Sequence, residues 1–475
     1  MRILHINTYQ TGGAALCMQR IGNALQQQGV ECRFLLMYGD DNEYTSVATG
    51  DTNIWSRHSL LSFFQKVAYL IGIKPKYIKL RQKLDKALSE NKERIFTTLP
   101  LSCYRTLTSH PWVKKADIIH IHWIGDFIDF RSFFKNIKKP IVWRLPDLNP
   151  LLGCFHYLNS NKKASSELLA IEKECVNIKH KALSNLNNLN IVVTSEQMHK
   201  ATKTNKILGQ YPITLINNGV DTEKYIPYDK KTIRIELNIE TEMVVFMFSS
   251  YALEDRRKGL KELITALESL NISNSLLICV GSYTNPPKTN LNIKCVGAIT
   301  DETTMAKLYS SSDYFITPAF EESFGQTTTE ALSCGTPVIA FPCGIAVDII
   351  DEELGVICKD FTSMALLEAI KLAITRKYDR NKIRQRTIER FLYDNIAKQY
   401  INLYKTILQN NNLPETNNEF SKLNYEIINQ QRVEHKKQLD LFSQLDGRRD
   451  FYKMALTHPR YIAGWIKRKI QSLFK

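Results

Sequence analysis

Glu322 and Glu330 stand eight residues apart, on either side of Ser323-Phe324-Gly325. An apolar run, Tyr314-Phe315-Ile316-Thr317-Pro318, precedes them and reads as a buried strand, and Val338-Ile339-Ala340-Phe341 follows as another. Gly325 suits a tight turn, Gln326 to Cys334 has helix length, and Gly335 is its stop. With right-handed crossover, this strand–turn–helix–strand unit sets the turn at the carboxyl ends of parallel strands. The free N–H groups of the helix start, Gln326 and Thr327 among them, favour an anion. Eight residues at helical rise reach at most ~12 Å, the span from a sugar across a pyrophosphate to a ribose. One glutamate would hold sugar hydroxyls and the other ribose hydroxyls, with phosphate oxygens on the helix terminus between them. On an ordinary surface helix the same pair would only be solvated.

Three further groups could share that chemistry. Arg256-Arg257-Lys258-Gly259 lies between a predicted strand and a predicted helix. Fixed cations there would stabilise the charge that a nucleotide leaving group gains as a glycosidic bond breaks, although many such runs are plain basic loops. Gly12-Gly13 follows the first strand, either as a turn needing positive φ or as a point of close backbone approach to a substrate. His122 stands near the end of the run Ala116–Trp123, where it either lines a cleft or is a core histidine satisfied by backbone.

The elements that must position these groups alternate as strand and helix. Ile3–Ile6, the helix Ala14–Gln28 with Gly29 as cap, and Cys32–Met37 open an α/β domain. Residues 55–111 are helical, basic and poorly patterned, an insertion. Strands return at Ala116–Trp123, Pro140–Leu145 and Ile191–Ser195. Beyond Ile216-Asn217-Asn218-Gly219-Val220-Asp221 come strand Met243–Phe248, helix Leu260–Leu270, strand Leu276–Val280 and helix Glu302–Ser310. A helix from Ile383 to Leu408 closes this part, and Asn410-Asn411-Asn412-Leu413-Pro414 breaks it. The expected organisation is thus residues 1–215, 216–382, a helix over 383–412 and a basic tail over 413–475.

At 475 residues the chain is too long for one core. Apolar content of 44% and charged content of 23% fit a globular protein. No run reaches the ~18 uncharged apolar residues of a membrane span, and the first residues already form a strand, so no cleavable signal is expected. Ten scattered cysteines read as reduced core residues. Cys154 and Cys175, near His156 and His180, lack the tight pairing of a zinc site, so no metal is expected. The net charge of +15 asks for an anionic partner. No nucleic-acid module is visible, and a nucleic-acid binder would leave Glu322 and Glu330 unexplained. A cytoplasmic protein, peripheral on the inner face of the plasma membrane, is expected instead.

Glu322-Ser323-Phe324-Gly325, Glu330-Ala331 and Cys334-Gly335-Thr336-Pro337-Val338 together resemble the signature of family-4 glycosyltransferases of the GT-B fold. The succession Ala116–Trp123, Ile141–Asp147, Gly153–Tyr157, Ile191–Ser195 and Ile216–Asp221 resembles the branch that builds bacterial exopolysaccharide and lipopolysaccharide. The resemblance implies two Rossmann-like parallel-sheet domains facing a cleft, with a helix crossing back onto the first domain and a C-terminal helical extension. It implies transfer, with retention, from a nucleotide-diphosphate sugar to a glycan or lipid-linked acceptor, with no cofactor and no metal. By it, Arg257 and Lys258 grip the diphosphate, and Glu322 holds the sugar. The glycine pair Gly12-Gly13 faces the cleft, and Ser323, Phe324, Gly325, Gln326, Thr327 and Glu330 complete the donor site.

Three departures stand out. Pro146 occupies the place where relatives carry a histidine near the donor sugar, so that either His122 covers the role, another contact does, or catalysis is impaired. Ala252 or a neighbour stands where many relatives have a further phosphate-binding arginine, and Cys343-Gly344-Ile345 where many have a glycine pair. A sugar-nucleotide binder or a GT-B epimerase is therefore the alternative, whereas no lysine for a phosphorylase's pyridoxal phosphate is identifiable. In the tail, Ile462, Trp465, Ile466, Ile470, Leu473 and Phe474 recur at helical spacing, and from Phe451 onward there are six Lys or Arg and no acid. Such a segment suits either an anionic membrane surface or the protein's own body.

Overall fold

The computed structural model describes residues 1–48, 75–411, 420 and 433. Continuous apolar runs such as Ile118–Ile121 and Phe246–Phe248 demand burial on both faces, and the chain meets that demand with two helix-covered parallel sheets. The first contains β1 (Arg2–Tyr9), β2 (Glu31–Tyr38), β3 (Thr45–Val47), β4 (Ile118–Ile121), β5 (Ile141–Arg144), β6 (Leu189–Val193) and β7 (Ile213–Leu215). The second contains β8 (Val244–Ala252), β9 (Ser275–Ser282), β10 (Ile293–Gly297), β11 (Tyr314–Thr317), β12 (Val338–Ala340) and β13 (Gly355–Ile357). Their orders are β3-β2-β1-β4-β5-β6-β7 and β10-β9-β8-β11-β12-β13. The expected doubly wound architecture is what the chain adopts. In each sheet the order reverses once, between β1 and β4 and between β8 and β11. Ligands of such sheets bind in the crevice that this reversal opens beyond the carboxyl ends of the strands.

The helix expected over 383–408 is two helices, Arg380–Phe391 and Tyr393–Asn410. Leu392, at ψ 130°, breaks them, and there the Val220 N–H donates to the Phe391 carbonyl at 2.9 Å. Phe391 belongs to the core of the second sheet, whereas Ile396, Ala397, Tyr400 and Tyr404 pack with Ile3, Ile21 and Val142 of the first. The break is the crossing itself: one straight helix could not bury its apolar face against both bodies. Of the expected helical insertion, Lys76–Glu90 is a helix, residues 91–106 run mostly without regular structure, and 55–74 lie outside the described residues. Thr97 forms an isolated bridge with Phe155, which ties this stretch to the cleft loop described below. Residues 421–432 and 434–475, including the amphipathic run from Ile462, also lie outside the described residues.

Candidate active site

The site is assembled at the two sheet reversals. After β8, Asp255 caps a short turn, Arg256–Lys258, by accepting from the Arg257 N–H at 3.0 Å. Arg257 then reaches across, Nη1 donating to the Glu321 carbonyl at 2.9 Å and Nη2 to Asp255 Oδ2 at 3.0 Å. Lys258 Nζ pairs with Glu322. Two loops distant in sequence are thereby locked to each other with the ammonium in front of Glu322. A guanidinium carries five N–H donors and an ammonium three, so both cations keep donors for an incoming anion.

The helix Gln326–Ser333 starts beside them. Its N-cap, Gly325, sits at φ 95° and supplies no side-chain cap, so the first N–H groups keep their anion-binding capacity. Ser323, Gln326 and Thr327 are half-buried at this start. The Ser323 carbonyl accepts from Ser195 Oγ of the first domain at 2.8 Å. Gln326 Nε2 donates at 2.8 Å to the carbonyl of Gly219, in the segment that joins the two sheets, so this side chain holds that connection. Phe324 is buried and packs edge-on against Phe391, which makes it a support of the turn.

Glu330, expected as a helix-surface carboxylate, is only 8% exposed. Tyr309 Oη donates to its Oε2 at 3.3 Å, and Arg20 Nη1 of the first domain lies 3.9 Å from its Oε1. Burial raises its pKa to about 7, against the pull of Arg20 and the two tyrosines Tyr225 and Tyr309. Arg20 also pairs with Glu302 and lies over the Tyr225 ring, joining the two domains at the far end of the motif.

Opposite, the helix Gly13–Gln27 starts behind Gly12, again at positive φ (95°) and again with no side-chain cap. A Cβ at Gly12 or Gly13 would meet nothing within 4 Å, so both backbones face open space. The two helix starts come close: Cys17 Sγ lies 3.7 Å from Gln326 Oε1.

His122 does not line this cleft. It is fully buried, its Nε2 sharing a hydrogen bond with His5 Nδ1 at 3.0 Å, while His120 Nδ1 shares one with Tyr404 Oη at 2.7 Å. Strand alternation explains the error: His120 and His122 point to the same face of β4, the one covered by the crossing helix. Burial holds all three imidazoles neutral, His5 at about 3 and the other two well below their ordinary value. Among the described residues these histidines are the one group whose ligand atoms cluster as metal ligands could, within 4.8 Å of one another.

The loop around Pro146 supplies groups that sequence reasoning missed. Asp147 Oδ2 accepts from Trp123 Nε1 at 3.0 Å and from His156 Nδ1 at 2.7 Å, and Thr98 Oγ1 is 2.9 Å from His156 Nε2. Burial alone would raise the Asp147 carboxyl, yet His156, the Asn149 N–H and Trp123 hold it below its ordinary value. Tyr157, next in the chain, lies under the Arg257 guanidinium at 4.3 Å. Two buried charges of the helix Ser166–Leu183 fix this loop. Glu172 accepts from the N–H groups of Gly153, Cys154 and Phe155, and Lys179 donates to the carbonyls of Asn149 and Leu152. The run Gly153–Tyr157 was visible in the sequence, but its partner carboxylate and ammonium were not. All ten cysteines are free, Cys154 and Cys175 included.

Residues 229–390 match the family described as "Glycosyl transferases group 1". The chain is 22% identical over 324 residues to an uncharacterized glycosyltransferase of Methanocaldococcus jannaschii, covering 62% of this chain and 77% of that one. It is 24% identical over 242 residues, 47% of its length, to alpha-galactosylglucosyldiacylglycerol synthase of Streptococcus pneumoniae, of which it spans 60%. Among solved structures, the HepE protein of Anabaena in complex with UDP and glucose superposes with a TM-score of 0.55 at 17% identity, over 86% of this chain and all of that one. Residues 229–390 thus match the group 1 glycosyl transferases, and the two parallel sheets give the chain the GT-B fold.

Proposed function

We propose that this protein moves a hexose, with retention, from a nucleotide-diphosphate sugar to a lipid-linked cell-surface glycan. The observation that carries the reading is the Lys258–Glu322 pair, tied by Arg257 to the uncapped start of the helix Gln326–Ser333. Lys258, the free donors of Arg257 and the helix N–H groups meet the diphosphate, Glu322 orients the sugar and Glu330 takes the ribose hydroxyls. The backbone at Gly12 and Gly13 faces the donor from the other side. As the glycosidic bond breaks, charge grows on the leaving phosphate, and these fixed cations stabilise it without protonating it. That phosphate then accepts the acceptor's proton from the same face of the sugar. Because the cations and the helix dipole do what Mg²⁺ would otherwise do, the reaction needs no metal. The test is a screen of UDP-, GDP- and ADP-sugars that follows nucleoside diphosphate release with and without EDTA and reads the anomeric configuration of the product. Loss of all release in EDTA would point to a metal-dependent route.

A second reading is favoured by Pro146, which offers no side-chain donor, and by the burial of His122. In that reading the protein binds a sugar nucleotide and does not turn it over. Calorimetric donor binding without release, with any acceptor extract, would select it.

The acceptor end of the proposal draws on the diacylglycerol product named for the streptococcal relative and on the basic, apolar-faced tail from Ile462. Among the described residues no helix is long and apolar enough to cross a membrane. The tail would hold the enzyme on anionic lipid at the inner face of the plasma membrane. Flotation with phosphatidylglycerol liposomes should be weakened by Trp465→Ala with Ile466→Asp; equal flotation by both forms rejects this role. Substitution is preferable to truncation, because Phe420 packs on the first domain, edge-on to Trp112.

A further inference from the structure

At the reversal of the first sheet, four aromatic side chains pack on one another instead of joining a core. Tyr9 and Tyr38, at the ends of β1 and β2, are stacked with centroids 5.4 Å apart and planes at 17°. Tyr9 lies 5.6 Å from Trp123, just past β4, and Trp123 is stacked with Phe96 at 6.2 Å and 19°. Tyr9 is 45% exposed, and Tyr38 and Phe96 are each 52% exposed. None of the four belongs to a hydrophobic cluster of the described residues. A contiguous exposed aromatic array of this kind is unfavourable in water and marks a binding surface.

Two features say what covers it. The first is continuity with the candidate active site. Trp123 donates to Asp147, whose partner His156 stacks on Trp123 at 5.6 Å, and the next residue, Tyr157, lies under Arg257. A molecule lying on the shelf therefore ends beside Arg257, Lys258 and Glu322. The second is the polar rim. Arg81 pairs with Asp126 at one edge, Gln10 Oε1 accepts from the Asp40 N–H at another, and Asp147 closes the inner end. These groups hold one another, yet the Arg81 guanidinium and the Asp126 carboxylate have more hydrogen-bonding positions than these contacts use, which a hydrocarbon chain could not meet. A pyranose has an apolar C–H face for the rings and a belt of hydroxyls for the rim.

We propose that Tyr38, Tyr9, Trp123 and Phe96 form the acceptor subsite, stacking the sugar rings of an already started glycan so that its free hydroxyl meets the donor. This rests on the transferase reading above. The experiment is saturation-transfer NMR on the full chain with a panel of maltose, cellobiose, lactose and diacetylchitobiose, and with farnesyl diphosphate as the lipid probe. Saturation should reach the pyranose C–H protons of at least one disaccharide. Tyr38→Ala and Phe96→Ala should each weaken that disaccharide about two- to tenfold, and Tyr38→Phe should keep it. Both alanine variants remove half-exposed side chains, and unchanged circular dichroism verifies their fold. No transfer from any disaccharide, equal affinity in the variants, or loss of farnesyl diphosphate contacts in place of sugar contacts overturns the proposal. Calorimetry of UDP and GDP on the same variants separates the two readings: failure of nucleotide binding in the wild type sinks the transferase reading and with it the acceptor role, whereas nucleotide binding without saccharide contacts sinks the shelf alone.

Discussion

The two helices that begin at the cleft, Gly13–Gln27 and Gln326–Ser333, start alike and rest on different foundations. Each follows a strand at its sheet's reversal, and each begins behind a glycine at φ 95° with no side-chain cap. The second carries its chemistry beside it, with Arg257, Lys258 and Glu322 at the start and Glu330 on its body. The first contributes open backbone, with Arg20 reaching over to Glu302 and Glu330. Beneath the first lie three neutral histidines, and beside the second a carboxyl with a pKa raised to about 7. One backbone device thus serves as charge handling on one side and as an unobstructed wall on the other. What differs is which side chains the neighbouring loops deliver.

The largest expected effect lies on the charge-handling side. Lys258→Ala should lower turnover on the order of 10²–10³, read as nucleoside diphosphate release, with only a small drop in thermal midpoint from the lost Glu322 pair. Arg257→Ala should lower both turnover and the midpoint, because its Nη atoms also tie the Asp255 and Glu321 loops together. Near-normal turnover in both would reduce the basic turn to a solvated surface.

Next comes Glu330. Glu330→Ala should weaken donor binding by about 1.5–3 kcal/mol, roughly ten- to a hundredfold. With its pKa raised to about 7, its ionised fraction grows from pH 6 to 8, so donor affinity should rise over that range and stay flat in Glu330→Gln. The folded state holds this proton more tightly than the unfolded chain does. Ionisation therefore costs stability in the ligand-free protein as pH rises from 4.5 towards 7. A wild-type affinity independent of pH would remove Glu330 from the ribose.

Gly12→Ala and Gly325→Ala test the shared device. An L side chain at these positive φ values costs on the order of 1–3 kcal/mol, and little steric penalty is added: a Cβ meets nothing within 4 Å at Gly12 and only Thr328 Oγ1, at 3.4 Å, at Gly325. Thermal unfolding should show similar losses for the two; a loss at one site alone would break the analogy.

The smallest effect belongs to the histidine layer. Its pKa values are lowered, so it stabilises fully above 6.5, and that stability is lost as pH falls from 6.5 towards 3 while the unfolded chain takes up protons. His122→Asn should reduce the loss between pH 6.5 and 5.5 by at most about 1.4 kcal/mol in urea titrations. An unchanged pH slope would mean that His122 titrates normally and is not buried.

The sequence determined what is local. Tyr314 to Ala340 is one uninterrupted strand–turn–helix–strand unit, so its periodicity, its glycine turn and its resemblance all fall within a single window. The alternation of strands and helices likewise reached the two parallel sheets, although β3, β7, β10 and β13, of three to five residues, carry too little pattern to be seen. Tertiary structure decided whatever depends on partners far along the chain. Glu330 is buried by Tyr309 and by Arg20, and Arg20 arrives from the other domain. His122 is taken from the cleft by His5, 117 residues away. The break at Leu392 is set by Val220, and the aromatic shelf draws on positions 9, 38, 96 and 123. The physical reason is common to all of these. A side chain's protonation, exposure and available hydrogen bonds are properties of its surroundings, and in a doubly wound sheet crossover connections bring those surroundings from distant strands.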